Sequence, residues 1–304
     1  MQLSKNILII SLCLFSQSGL TEILFTDSLE SGDLTASTAN INDANFRWTD
    51  ANRSSIFTQN GATAIREYPV EYFQEYNDGR DVTAKTNSRS LGIEYAAGQE
   101  MAEQRFALDQ RNELWLGYWI RVPENYSHAL GPEPGWPTNN KFLALWMDDY
   151  SGTGSTVVLS MENAGNGNTD LAFTYTLPGG GAVQFQQHAP FINITTDRGR
   201  WMQMVVHVNF GTNSGSDSTL ETWRRWESES SFTLLHQTTT ANWTKGSATG
   251  WGGGYFMGWA NGTYAEDTWW LIDDVVISNT SLVGISEPSA AAPPSNFTGN
   301  IQIN

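Results

Sequence analysis

Hydrophobic and polar residues alternate with a period of two in short segments along most of the chain. This pattern is typical of β-strands with one buried face, and little of the sequence shows the longer period of an amphipathic helix. Turn-forming residues separate the segments, as in "NAGNGNTD" and "KGSATGWGGG". The clearest predicted strands are 113–122, 141–148, 155–162, 171–177, 182–188, 201–210, 220–226, 254–260 and 269–278.

This succession of strands without intervening helices predicts an all-β fold, an antiparallel two-sheet β-sandwich of the jelly-roll type. The length of 304 residues fits one large all-β domain. We place that domain at residues 22–283.

Both ends of the chain differ in composition from this domain. In residues 1–18, Lys5 precedes the apolar run "ILIISLCLF" and a small-x-small cleavage site at residues 16–18, an order that predicts a signal peptide. The only cysteine, Cys13, lies in that run, so we expect a secreted mature protein, extracellular or periplasmic, without disulfides. The Pro-, Ala- and Ser-rich segment 284–304 predicts a linker or disordered tail.

Charge and aromatic content narrow the range of partners. The formal net charge of −16 repels nucleic acid and anionic membranes, so we expect neither as a partner, and we expect a monomer. The chain has 13 Trp, 10 Tyr and 14 Phe. Aromatic rings fill sandwich cores and also stack on sugar rings, so a minority exposed on a sheet would bind a polysaccharide.

Several segments carry a resemblance to a known superfamily. "ILFTDSLESGDL" and "WWLIDDVVIS" are similar to the first and last strands of concanavalin A-like jelly rolls. "SRSLGIEY", "NELWLGYWIRVPENY", "NNKFLALWMD", "RGRWMQMVVHV" and "GYFMGWANGTYAEDTWWLIDD" resemble the polysaccharide lyases of that superfamily, of the heparin, glucuronan and alginate lyase type. The resemblance implies a jelly roll that cleaves a uronic-acid-containing glycan by β-elimination.

Such cleavage needs a cation or amide that neutralises the uronate carboxylate, a base for the C5 proton and an acid for the leaving oxygen. Alginate lyases of this fold carry an Arg-containing strand, then Q-[IV]-H, then Y-F-K-A-G-x-Y-N. This chain has "SRSLGIEY", "QQH" and "YFMGWAN" in the same order. By this resemblance Arg89 and Gln186 bind the carboxylate, His188 is the base and Tyr255 is the acid. Gln186 and His188 are two residues apart, so we expect both to face one ligand.

Three positions depart from these motifs: Gln187 replaces the aliphatic residue, Met257 the lysine and Ala260 the second tyrosine. The departures weigh against alginate itself and leave another uronate glycan open. His128 and His236 lie near turns and are expected to be solvated. Further substrate contacts are predicted at Asn140, Lys141, Tyr118, Gln184, Gln203, His207 and Trp259.

The resemblance also implies a structural Ca²⁺ that ties the first strand of the domain to the last. Carboxylates are the hard oxygen ligands that this ion prefers. The candidate ligands are Glu30, Asp33, Asp273 and Asp274. The sequence has no histidine or cysteine cluster with zinc spacing and no phosphate-binding glycine loop.

Two other functions stay open at this stage. The chain lacks the E-x-D-x-x-E strand of laminarinase-type hydrolases: Asp148 and Asp149 are adjacent, and Glu162 and Glu221 stand alone. Carboxylates from separate strands can still converge. We therefore predict a secreted polysaccharide lyase, with a non-catalytic carbohydrate-binding module and a glycoside hydrolase as alternatives.

Overall fold

The computed structural model describes residues 23–34, 45–128, 139–175, 184–212 and 214–284. The predicted signal peptide and all but the first residue of the predicted tail lie outside these ranges. Their assignment and the domain boundaries stay predictions. Within the described residues, no helix has the length and apolarity needed to span a membrane.

The described residues form strands connected by turns, with one short 3-10 turn at Val70–Tyr72. The strands are β1 (Ile23–Asp27), β2 (Arg47–Asn52), β3 (Ser54–Asn60), β4 (Thr63–Tyr68), β5 (Gln74–Tyr76), β6 (Arg89–Tyr95), β7 (Met101–Arg111), β8 (Glu113–Arg121), β9 (Asn139–Trp146), β10 (Thr156–Gly165), β11 (Asn168–Tyr175), β12 (Gln184–Ile192), β13 (Trp201–Asn209), β14 (Ser218–Trp226), β15 (Thr233–Ala241), β16 (Trp251–Trp259) and β17 (Thr268–Ser278).

These strands form two antiparallel sheets, which confirms the predicted all-β, two-sheet β-sandwich. The ten-stranded sheet has the order β15-β14-β13-β8-β17-β6-β3-β4-β5, with β1 paired to β17. The seven-stranded sheet has the order β12-β11-β10-β9-β16-β7-β2. The expected proximity of the first and last strands is confirmed, because β1 and β17 are hydrogen-bonded neighbours.

All nine strands predicted from alternation are present, because each has an apolar face that packs into the sandwich. On β8, for example, Leu116, Tyr118 and Ile120 belong to the main core, whereas Trp119 belongs to a smaller apolar cluster on the opposite side of the ten-stranded sheet. The seven-stranded sheet behaves in the same way. Its inner face lines the core, and its outer face carries the side chains described next.

Candidate active site

Strand register places one row of side chains across the outer face of the seven-stranded sheet. Tyr255 on β16 lies opposite Arg105 on β7 and opposite Ala144 on β9. Ala144 in turn lies opposite Val158 on β10. Ala144, Trp146 and Tyr255 form an apolar cluster separate from the main core, packed with Tyr150 and Val158. This row therefore faces away from the interior of the sandwich.

Three aromatic rings surround the centre of this row. The ring centroid of Tyr255 is 5.7 Å from that of Trp146 and 5.4 Å from that of Tyr150. Trp146 and Tyr150 are 5.9 Å apart in an edge-on arrangement. Such rings offer apolar faces on which a sugar can stack, together with phenol groups that donate hydrogen bonds.

Two cations flank the same rings. The ammonium of Lys141 lies 5.2 Å from the Tyr150 ring centroid, and the guanidinium of Arg105 lies 6.0 Å from that of Trp146. Arg105 also donates through Nε to the carboxylate of Glu103 at 2.7 Å. The cluster of Lys141, Arg105, Tyr150, Tyr255 and Trp146 is called the phenol–cation centre below.

Glycines on β16 allow this close packing. A Cβ on Gly253 would lie 2.8 Å from Nε1 of Trp146, and a Cβ on Gly258 would lie 2.8 Å from the Tyr255 ring and 3.2 Å from Cβ of Lys141. Between them, Met257 has a φ of 61°, a left-handed conformation uncommon outside glycine. Irregular strand geometry of this kind often re-aims side chains beside active sites.

Met257 stands where the resemblance places a lysine, so this position carries no amine. Its side chain is fully buried in the core. The amine beside Tyr255 comes from Lys141 on the neighbouring strand. Lys141 was predicted to contact substrate, and the structure brings it to the same face as Tyr255.

The Tyr255 hydroxyl has an unusual environment. The residue is only 2% exposed, and no described group makes a hydrogen bond of normal geometry to its oxygen. Burial first, and then the neighbouring Tyr150 and Glu103, raise the pKa of Tyr255 far above its usual value. The Tyr255 phenol therefore keeps its proton near neutral pH.

Tyr150 reaches this centre from the turn between β9 and β10, and Asp148 fixes that turn. The Asp148 carboxylate accepts backbone N–H bonds from Asp149, Thr153 and Gly154 at 2.9–3.0 Å. Burial alone would raise the pKa of Asp148, but these bonds lower it to about 2. The ionised carboxylate thus holds the turn, and Tyr150 with it, in place.

A second row of side chains runs parallel to the first on the same face. Lys141 lies opposite Ser160 on β10, Ser160 opposite Ala172 on β11, and Ala172 opposite His188 on β12. Small residues therefore floor the space between Lys141 and His188. The two end residues are three strands apart, about 14 Å at the usual strand spacing.

A carboxylate pair adjoins His188 at that end of the sheet. Glu162 lies directly opposite Asp170, and its Oε2 is 3.5 Å from Nε2 of His188. The Glu162 side chain is 7% exposed, and no described group donates to its Oε1. Burial raises the pKa of Glu162, His188 lowers it, and Asp170 raises it further. We call Glu162, Asp170 and His188 the acidic end.

The structure does not bring His188 and Tyr255 to one sugar ring. Three strands separate β12 from β16, so the two residues are about 19 Å apart across the sheet. The side chains of Gln184 and Gln186 lie outside the described part of the structure. The register between β12 and β11 shifts between Gln187 and Phe185, so Gln186 falls at an irregularity in the ladder.

Arg89 lies in the other sheet, which separates it from both ends of the outer face. It belongs to β6, and its Nε donates to Glu67 at 2.5 Å while its NH1 is 3.8 Å from Glu30. The predicted grouping of Arg89 with His188 and Tyr255 is therefore not formed. The cation opposite Tyr255 is Arg105.

Four other predicted substrate contacts also lie away from this face. Tyr118 is fully buried in the core, and Asn140 is fully buried and donates to the Tyr264 hydroxyl at 2.8 Å. Gln203 and His207 lie on β13 in the ten-stranded sheet. Gln203 accepts from Arg225 at 2.7 Å, whereas His207 is held between Glu113 and Glu221 at 2.8 Å each.

Trp259 and two histidines are the remaining residues for which the sequence made a prediction. Trp259 ends β16 and is 45% exposed, so it can contact a ligand that extends past Tyr255. The expectation that His128 and His236 are solvated is wrong, because both are buried. His128 contacts Thr169, and His236 stacks on Phe173 with ring centroids 4.4 Å apart.

The carboxylates predicted to bind calcium are engaged by other donors. Glu30 accepts from the backbone of Ser88 and Arg89, and Asp273 accepts from the backbone of Lys85 and Thr86. Among the described residues, no group of three or more His, Cys, Asp or Glu is arranged to hold a metal ion. The calcium site thus stays a prediction.

Arg105, Tyr150 and Glu162 were not predicted as site residues. The segment "MAEQRFALDQR" does show a period-two signal, with Glu103 and Arg105 on one face and Phe106 and Leu108 on the other. That alternation could have identified β7. Tyr150 lies in a turn, where no periodicity indicates its direction.

Comparison with known proteins finds similar structures at low identity. No protein-family model and no curated protein matches the chain. The PL-14 alginate lyase from Aplysia kurodai is 13% identical with a TM-score of 0.46, over 64% of this chain and 84% of that one. The endo-beta-1,4-glucuronan lyase from the fungus Trichoderma reesei is 11% identical with a TM-score of 0.46, over 76% and 96%. The CBM2 module of the evolved Dit of Lactobacillus casei BL23 phage J-1 is 10% identical with a TM-score of 0.44, over 86% and 97%.

Proposed function

We propose that this protein is a polysaccharide lyase that cleaves a uronic-acid-containing glycan by β-elimination. The observation that carries the proposal is the phenol–cation centre, in which two phenols stand between Lys141 and Arg105 on an outer sheet face. A uronate carboxylate needs a cationic partner, and the elimination needs a proton acceptor and a proton donor.

The elimination assigns a role to each residue of the centre. Lys141 and Arg105 bind the C6 carboxylate and stabilise the charge that develops when C5 loses its proton. Tyr150 acts as its phenolate and becomes the neutral phenol when it accepts that proton; it is the partly exposed phenol and lies beside the Lys141 ammonium. The electron pair forms the C4–C5 double bond, the C4–O bond breaks, and Tyr255 protonates the leaving oxygen. Trp146 provides a stacking face.

The test is the ultraviolet absorbance of the unsaturated product, measured on a panel of uronate and neutral glycans. We expect Tyr150→Phe to lower turnover by about 10²–10⁴-fold, the range for loss of one general acid or base. We expect Lys141→Met to lower turnover as well. The matched control is Lys85→Met, since the Lys85 ammonium also lies over an aromatic ring, 4.4 Å from that of Trp119 in the ten-stranded sheet.

Full turnover by both site variants on an accepted glycan would contradict the proposal. So would a wild-type protein that binds uronate glycans without forming an unsaturated product, which is the behaviour of a carbohydrate-binding module.

A glycoside hydrolase is a second candidate, and the pair of Glu162 and Asp170 favours it. Residues directly opposite on adjacent strands have Cβ atoms about 5 Å apart, and retaining glycosidases use two carboxylates at a similar separation. The raised pKa of Glu162 suits a general acid. Release of reducing ends without ultraviolet absorbance, abolished by Glu162→Gln, would identify this activity.

We also propose that the protein is exported. The proposal is supported by the charged and apolar segments of residues 1–18 and by their small-x-small cleavage site. N-terminal sequencing of the protein purified from its native source tests it. A mature chain that begins shortly after residue 18 is expected, and an intact N-terminus on protein recovered from inside the cell would overturn it.

A further inference from the structure

The outer face of the seven-stranded sheet has opposite charges at its two ends. Lys141 and Arg105 supply two cations at the phenol–cation centre, and because Glu103 pairs with Arg105 the centre keeps one net positive charge. Glu162 and Asp170 supply two carboxylates at the acidic end, accompanied by His188. A row of small side chains joins the two ends, so one glycan chain can lie across both.

The acidic end contains an acceptor that the described protein does not satisfy. Glu162 is more than nine-tenths buried, and its Oε1 lacks a hydrogen-bond partner among the described residues. An unsatisfied buried polar atom is destabilising, and more so when it is charged. A ligand hydroxyl or N–H that reaches Oε1 would remove this cost, so the oxygen favours a ligand with a hydrogen-bond donor.

The same end disfavours a second carboxylate. Two like charges a few ångströms apart repel each other at a protein surface. A uronate placed against Glu162 and Asp170 would face two carboxylates, with His188 beside them. The uronate is therefore directed to the phenol–cation centre, and the sugar at the acidic end must lack a carboxylate.

We propose that Glu162 and Asp170 form a subsite for a hydrogen-bond-donating sugar that lacks a carboxylate, so that the preferred glycan is a heteropolymer of uronate and non-uronate residues. This inference rests on the proposed lyase function only for the sugar at the phenol–cation centre. Lys141 and His188, at the far sides of the two ends, are about 14 Å apart, whereas Glu162 lies on the strand next to that of Lys141. The two ends therefore contact neighbouring sugars of one chain.

The experiment measures equilibrium binding of three probes by titration calorimetry at low ionic strength. Hyaluronan alternates glucuronate with an acetamido sugar, gellan combines glucuronate with neutral sugars, and polyglucuronate contains uronate alone. We expect the wild-type protein to bind hyaluronan or gellan at least about tenfold more tightly than polyglucuronate. The heteropolymer that binds more tightly shows whether the acidic end prefers an acetamido sugar or a neutral sugar.

Glu162→Gln removes the charge and keeps the shape. We expect this variant to bind polyglucuronate more tightly and to lose most of the tenfold preference, with Asp170→Asn acting in the same direction. The matched control is Glu75→Gln on the distant edge strand β5, which should keep the preference. The near-ultraviolet circular dichroism spectrum checks that each variant is folded.

Equal wild-type affinity for polyglucuronate and the heteropolymers would overturn the inference, as would an unchanged preference in folded Glu162→Gln and Asp170→Asn, or no binding of any probe. Hydrolysis that Glu162→Gln abolishes would overturn it as well, because Glu162 would then be catalytic. Failure of the lyase proposal is distinguishable, since it shows as binding with the predicted preference but without an unsaturated product.

Discussion

Replacing Tyr255 with phenylalanine should separate stability from activity. The Tyr255 ring packs against Trp146 and Tyr150 with centroids 5.7 Å and 5.4 Å away, and phenylalanine keeps these contacts. Only the hydroxyl is lost. That hydroxyl is buried and lacks a hydrogen bond of normal geometry to any described group.

The expected effects on the free energy of unfolding and on turnover have opposite directions. A buried polar group without a partner costs about 1–3 kcal/mol, so removal of the hydroxyl should leave the free energy of unfolding unchanged or raise it by up to about 2 kcal/mol. The same change removes the proposed proton donor, and turnover should fall by about 10²–10⁴-fold.

Denaturant unfolding and the ultraviolet assay measure these effects on the same preparations. The control is Tyr95→Phe, because the Tyr95 hydroxyl is buried but donates to the Gly258 carbonyl at 2.5 Å and accepts from the Gly258 N–H at 3.0 Å. That variant should lose about 1–3 kcal/mol. A loss of more than about 1 kcal/mol in Tyr255→Phe would show that its hydroxyl is satisfied in solution. Unimpaired turnover would remove Tyr255 from the chemistry.

Three further predictions concern positions around and beyond the centre. Gly253→Ala places a Cβ 2.8 Å from Nε1 of Trp146, so it should lower the free energy of unfolding by about 1–3 kcal/mol and reduce turnover, both measurable in the assays above. Burial raises the pKa of Asp273 from 3.8 to about 8, so between these pH values the folded state holds a proton that the unfolded chain releases. The free energy of unfolding should therefore fall by up to about 1.4 kcal/mol for each unit by which the pH rises through this range. Asp273→Asn should flatten that slope in denaturant titrations at several pH values. The pKa of Asp148 is lowered to about 2, so the contribution of Asp148 to stability should be present above about pH 4 and disappear as the pH falls toward 2. Asp148→Asn should abolish this pH dependence. It should also lower turnover, because it releases the turn that carries Tyr150.

The sequence predicted the strands far better than the site, and Arg89 and Arg105 illustrate why. Both arginines lie on alternating segments, and alternation is a local property. Which of them lies beside Tyr255 depends on the pairing of β7 with β16, which joins segments about half the chain apart. Nothing local to either strand specifies that pairing.

For the same physical reason, the sequence does not show to which sheet a polar strand residue belongs. Gln203 and His207 have the polar character of groove residues, yet β13 pairs with β8 and β14 in the ten-stranded sheet. Lys141 lies on the same face as Tyr255 because its strand belongs to the seven-stranded sheet. The proximity of Glu162 to His188 arises across β11, so each residue stood alone in the sequence.

The pairing of β1 with β17 has a consequence for the order in which the molecule folds. The ten-stranded sheet lacks a central strand until Thr268–Ser278 is available, and β16 must insert between β9 and β7 before Tyr255 meets Arg105 and Lys141. Contacts between such distant segments slow folding, because a long loop must close before they form. We therefore expect the nascent chain to acquire no glycan-cleaving activity until nearly the whole domain is synthesised, and fragments that end before β16 to be inert.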